Sequence, residues 1–206
     1  MANPIQKQFG DVVINAFADF ARSDLKSPED YRDNDFAFVD DRKLRENLAE
    51  VFYGVRWIYK LGLALLTKNA ERAAHVRAQI VDYASVVEAL LSYCIGHAIE
   101  YGHTTGTGFN FDDPVSRKKP IKWIKTNPEP QLRKRSLWWL VKVSREFGII
   151  SHQLETEVDW LRKQRNTVHL RQRSSLGRTA YLNQSKRAFD ACIMTIQATR
   201  RWKRNR

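Results

Sequence analysis

The stretch Asp82-Tyr-Ala-Ser-Val-Val-Glu-Ala-Leu-Leu-Ser-Tyr-Cys-Ile95 holds two charged residues and no glycine or proline. Around it Val76, Ile80, Tyr83, Val87, Leu90, Cys94 and Ala98 recur every three or four residues, so about 70–101 reads as one long helix. Its middle is too apolar for a helix with one face in water, which places it at the centre of a bundle. Upstream, a helix over 4–22 takes Pro4 in its first turn and carries Phe9, Val13, Phe17 and Phe20 about one turn apart. A polar stretch (23–35) follows. Asp40 or Asp41 then caps a helix bearing Leu44, Leu48, Phe52, Val55, Tyr59 and Leu66, ending near Lys68 and Asn69.

Downstream, glycines and prolines interrupt 102–130, which reads as a connection holding a short helix at 121–125. A helix over 129–147 stops at Gly148. Ser151 caps the next helix, with Glu155 and Glu157 in its first turns and Leu154, Val158, Leu161 and Val168 inward; this helix is expected to run through His169. Polar residues 171–178 are expected to form a turn, and a last helix over 179–202 to turn Leu182, Phe189, Cys192, Ile193 and Ile196 inward. No alternating run bounded by hairpin residues is present. The expectation is an all-α, up-and-down helical bundle over 70–206, with 1–69 as a helical extension packed on it.

The 206 residues include 35 Lys and Arg against 23 Asp and Glu, a formal charge of +12. This excess is polarised: residues 1–103 hold 12 basic and 15 acidic side chains, and residues 104–206 hold 23 and 8, a net of +15. A polyanionic partner accounts for such asymmetry, because several phosphates are met at once and their counterions released. A basic, solvated surface accounts for it equally. The 43% hydrophobic share excludes disorder, and no apolar run approaches the roughly 20 residues of a membrane helix. Without an apolar leader core at the N-terminus, the expected setting is cytoplasmic, with no membrane partner and with Cys94 and Cys192 as core thiols.

The chemistry concentrates in Trp160-Leu-Arg-Lys-Gln-Arg-Asn-Thr-Val-His-Leu170. Helical spacing puts Arg162, Arg165, Asn166 and His169 on one strip. Continuing Leu154, Val158, Leu161 lands on Arg165, so a guanidinium stands where a leucine is expected. It must find a partner, line a cleft or meet another subunit. The competing structural reading pairs both arginines with nearby carboxylates and leaves His169 at the helix C-terminus, where a cation is favoured.

These residues carry a resemblance to HEPN domains, all-α proteins marked by an arginine, four to six residues and a histidine. Arg162 with six residues before His169 satisfies that spacing; Arg165-Asn166 satisfies the Arg-Asn signature with only three. Leu137–Ile150 with Ser151 resembles the helix and Gly-Ile-Ile turn that precede the motif, and Val81–Leu91 resembles the central helix, with Glu88 set among apolar residues. The resemblance spans about 70–200. It implies metal-independent cleavage of RNA without a cofactor, often by toxins or defence effectors, with two motifs meeting in a homodimer and a cognate antitoxin or defence partner. His169 would act as general acid or base, Arg162 and Arg165 as phosphate binders, Asn166 as support and Glu88 as the group that orients an arginine. Members whose motif continues His-x-Tyr have a modifiable tyrosine; here that position is Arg171.

Arg171 and Arg173, with Lys118, Lys119 and Lys122 beside Trp123, add candidate RNA contacts, combining cations and an aromatic as single-strand binders do. Solvated loop charge is the plainer explanation of those lysines. Cys94, His97, Glu100 and His103 make a loose ligand set with poor zinc spacing, while His75 and His152 read as surface or capping residues. Trp138-Trp139 reads as core. The Gly102–Gly108 stretch lacks the Lys-Ser/Thr of a phosphate loop. Beside the endoribonuclease stand two alternatives: a non-catalytic RNA-binding or dimerisation module, and a helix-turn-helix DNA regulator, the latter disfavoured by Glu155, Glu157 and Asp159 at the start of its recognition helix.

Overall fold

The computed structural model describes residues 4–103, 123–124, 126–167 and 181–206. These form an all-α fold, with no strand among the described residues. The elements are α1 (Pro4–Arg22), α2 (Pro28–Asp30), a π-helical turn (Tyr31–Asp35), α3 (Arg42–Ala64), α4 (Asn69–Glu100), α5 (Glu129–Leu132), α6 (Leu137–Glu146), α7 (His152–Asn166) and α8 (Tyr181–Arg204).

The apolar stretch Asp82–Ile95 is central, as expected. α3, α6, α7 and α8 all pack on α4, and Val87, Leu90, Leu91, Cys94 and Ile95 are fully buried. Although the sequence holds no uninterrupted apolar run of that length, α4 is the one described helix long and apolar enough to cross a membrane. Of its most apolar stretch, 56% is buried inside the bundle.

The extension shares this core. Phe52 of α3 meets Tyr31, Phe36 and Tyr83 edge-on at 5.0, 5.9 and 6.2 Å and stacks on Phe189 of α8 at 6.4 Å, so one aromatic cluster joins 1–69 to α4 and α8. Such pairs add to the area they bury. α1 is different: it kinks at Gly10 (φ 69°), a conformation that favours glycine. It packs on α3, yet Phe9, Val13, Phe17 and Phe20 of its apolar stripe remain 40–59% exposed.

Several boundaries differ from the sequence expectation, each for a local reason. The second part of the polar stretch 23–35 is helical, from Pro28 to Asp35, because Ser27 and Asp30 form a capping box with both bonds at 3.1 Å. The π-turn's Asn34 and Asp35 carbonyls accept from the Arg200 guanidinium of α8 at 2.9 and 2.6 Å. α3 ends at Ala64, four residues early, where Leu66 takes a positive φ of 50° and Thr67 bonds back to the Gly62 carbonyl. The single helix expected over 129–147 is two, because Ser136 adopts an extended conformation and accepts the Trp139 N–H at 3.3 Å as a fresh N-cap. Trp139 is 1% exposed and packs on Trp123 at 5.7 Å, so it belongs to the core. The helix expected at 121–125 and the turn at 171–178 lie outside the described residues.

Candidate functional site

The α6–α7 corner aims the motif helix. Gly148 (φ 67°) closes α6 in a Schellman turn: the Ile149 N–H bonds to the Ser144 carbonyl at 2.8 Å and the Gly148 N–H to the Arg145 carbonyl at 3.2 Å. Ile149 and Ile150 are buried there, and Ser151 caps α7 by accepting the Leu154 N–H at 3.2 Å. Glu155, in the first turn where the helix dipole favours an acid, takes Lys142 at 2.5 Å and His152 at 3.3 Å. The Lys142 hydrogen bond holds its carboxyl below the usual range. Glu157 receives Arg187 of α8 at 2.8 and 3.1 Å, and that guanidinium also covers the Trp160 ring at 4.3 Å.

Leu154, Val158 and Leu161 face the core, at 6, 0 and 0% exposure. Next on that stripe is Arg165, and its guanidinium Nη1 donates to Oε2 of Glu88 on α4. The apolar surroundings of Glu88 in the sequence thus mark a carboxylate facing α7. Both side chains stay about one-third exposed, at 35% and 31%. A pair this open contributes on the surface scale, about 0–1 kcal/mol. Glu88→Gln should therefore cost at most about 1 kcal/mol, a shift of about 2–4 °C in thermal midpoint for a chain of this size; a much larger loss in a thermal melt would mean the pair anchors α7.

Arg162 turns to its own helix, with Nε 2.8 Å from Asp159 Oδ1, while Lys163 takes the other carboxylate oxygen at 2.8 Å. Burial pushes the Asp159 carboxyl up, but hydrogen bonds from Lys163 and Arg162 outweigh it and hold it below its ordinary value. Asn166 is exposed. α7 ends there: the Thr167 hydroxyl donates to the Gln164 carbonyl at 2.7 Å and its N–H closes the last turn. The described helix thus stops three residues short of His169, through which it was expected to run. Helical spacing holds for Arg162, Arg165 and Asn166, whereas Val168, His169, Arg171, Arg173, Lys118, Lys119 and Lys122 lie outside the described residues.

Among the described residues, no group of three His, Cys, Asp or Glu could hold a metal ion. Cys94 is buried in the core, which pushes its thiol up to about 12. His97 belongs to a polar network that the sequence reading missed, since its partners come from remote segments. Lys203 of α8 lies 2.5 Å from His97 Nε2 and 2.8 Å from Asp40, and the Tyr93 hydroxyl accepts the Asp40 N–H at 3.0 Å and donates to the Asp40 carboxylate at 3.1 Å. A second Schellman turn at Gly102 (φ 72°) ends α4, with the His103 N–H on the Ala98 carbonyl at 2.8 Å. The His97 ring stacks on Tyr101 at 4.2 Å and lies near-parallel to His103 at 6.1 Å.

Burial and the Lys203 charge both lower the His97 pKa. With Nε2 accepting from Lys203, the remaining proton sits on Nδ1, which is buried without a partner among the described residues. The folded state resists a proton that the unfolded chain accepts below the ordinary histidine value of about 6.5, so stability is present above that pH and is lost as pH falls through it. His97→Gln should flatten this loss. Urea midpoints at pH 7.5 and 5.5 check it, and an equal acid loss in both proteins would exclude His97 as its source. His75, read as a surface or capping residue, instead has its Nδ1 buried without a partner among the described residues, in a cavity of about 90 Å³ against Gly62 and Thr67.

No protein-family model, characterised protein or solved structure matches the chain.

Proposed function

We propose that the protein is a metal-independent endoribonuclease of HEPN-like type, acting in the cytoplasm as a toxin or defence effector. The observation that supports this most is the meeting of Arg165 with Glu88: a guanidinium carried on the buried stripe of α7, oriented by a carboxylate of the central helix and still one-third exposed. In the reaction the ribose 2′-oxygen attacks the adjacent phosphorus and the bond from phosphorus to the 5′-oxygen breaks. His169 takes the 2′-hydroxyl proton or gives one to the departing 5′-oxygen, as an imidazole does near neutral pH. Arg162 and Arg165 stabilise the charge building on the phosphate, which permanently protonated guanidinium groups suit. Asn166 supports the histidine or a phosphate oxygen, and Arg171, Arg173, Lys118, Lys119 and Lys122 hold flanking RNA. One motif supplies one histidine, so a second copy of the chain provides the other member of an acid–base pair. A cognate antitoxin or defence partner would restrain it.

The test is RNA turnover by purified protein in excess EDTA. Cleavage should persist in the chelator and vanish when every 2′-hydroxyl is methylated, since the attacking oxygen is then blocked. Cleavage of the methylated strand would remove this chemistry. The second reading, a non-catalytic RNA-binding or dimerisation module, is favoured by the carboxylate partners that both arginines already have. It expects salt-sensitive RNA binding with no turnover.

A further inference from the structure

The last turns of α8 sort their cations into two groups. Arg200 is turned inward onto the π-turn and Lys203 onto Asp40 and His97. Arg201, Arg204 and Arg206 have no carboxylate partner among the described residues, in contrast to Arg162, Arg165 and Arg187. Two of these three, Arg201 and Arg206, line a groove of about 810 Å³ between the end of α8 and the α6–α7 corner. Its other polar walls are Ser151, Gln153, Gln197 and Asn205, and no Asp or Glu lines it. Its floor is apolar, made by Ile149, Ile150, Leu154, Met194, Ala198 and Trp202, and the Arg206 guanidinium lies 5.8 Å from the Trp202 ring. The start of α7 also opens into this groove, with the positive end of its dipole. A groove with an apolar floor, a rim of arginines and amides and no acidic side chain complements a single strand, whose phosphates meet the rim while its bases meet the floor.

We propose that this groove is a second nucleic-acid site, which holds the phosphodiester backbone of single-stranded RNA. Gln153 at its edge is twelve residues from Arg165 along α7, about 18 Å at 1.5 Å per residue. RNA seated here reaches the Arg165 end of the helix only by running along the molecule, so the groove sets affinity and register and takes no part in bond breaking. The proposal rests on RNA being the ligand and is independent of whether the chain cleaves it.

The experiment measures binding of a fluorescein-labelled 2′-O-methyl RNA of about a dozen nucleotides, which cannot be cut, from about 50 to 200 mM salt. Each phosphate contact to a single strand contributes roughly 0.7 to the slope of log K against log salt. R201Q/R206Q, both surface changes, should lower the magnitude of that slope by about 1.4 and leave the thermal midpoint unchanged. Arg200→Gln, whose guanidinium is occupied inside the protein, should leave the slope unchanged. An unaltered slope in R201Q/R206Q overturns the proposal, as does absence of RNA binding by the wild type. If unmodified RNA is cut while the slope is unaltered, the groove fails and the cleavage reading survives. A reduced slope without turnover supports the groove and removes the ribonuclease.

Discussion

His169→Ala is expected to slow RNA cleavage by about 10²- to 10⁴-fold, the usual contribution of a positioned general acid or base, while binding of uncut 2′-O-methyl RNA stays within about twofold of wild type. That split follows from the division of labour on and beyond α7. The imidazole is needed only while protons move, whereas the arginines and the basic groove meet phosphate in the bound state as well. Arg165→Lys should give an intermediate loss, because an ammonium keeps the charge but not the planar fork that a phosphate accepts. Glu88→Gln distinguishes a positioning carboxylate from a merely structural one. If Glu88 orients Arg165, turnover falls and the thermal midpoint hardly moves; if the pair is structural only, the midpoint falls and turnover does not. Turnover and titration of the methylated RNA, run on the same three variants, separate these outcomes. Retained cleavage in His169→Ala would take the histidine out of the mechanism.

Leu161→Ala should destabilise the fold by about 2–5 kcal/mol, the range for emptying a fully buried leucine site. Leu161 is completely buried on the face of a helix packed against α4, α6 and α8. The same substitution reaches function, because Leu161 lies one turn from Arg165 and seats it opposite Glu88. Loosening α7 lets that guanidinium wander, so activity should fall even where the variant is still folded. Urea unfolding gives the first number, and cleavage at low temperature, where the variant is fully folded, gives the second. A loss under about 1 kcal/mol would mean that α7 is not anchored by its apolar stripe.

The fold was legible wherever a long apolar period or a strong cap dominated. α1 has the expected limits, α4 lies within one residue of them at each end, and Ser151, Asp41 and Gly148 act as cap, cap and stop. What escaped depends on single hydroxyls or remote partners. Ser136 splits a continuous helical pattern, Thr167 ends α7 before His169, and the π-turn gives its carbonyls to Arg200, some 165 residues away. At the site, the displaced stripe position at Arg165 and the glutamate set among apolar residues at position 88 were both readable. Their pairing shows why an apolar context around Glu88 was informative: it marked a helix face that another helix must cover. The network of Asp40, Tyr93, His97 and Lys203 was not readable, because local spacing does not show which of three segments meet. Nor does net charge reveal which cations are spent inside the fold. Of the +12, the structure separates arginines already matched by carboxylates from Arg201, Arg204 and Arg206, which are not.

The most direct test of the central claim is the identity of the ends left on RNA after incubation with the wild-type protein in EDTA, read by mass spectrometry of the fragments. Attack by the 2′-oxygen leaves a 2′,3′-cyclic phosphate, or the 3′-phosphate it hydrolyses to, on the upstream fragment and a 5′-hydroxyl on the downstream one. These ends are predicted. A 3′-hydroxyl with a 5′-phosphate, or the absence of any cleavage in EDTA, would contradict the account.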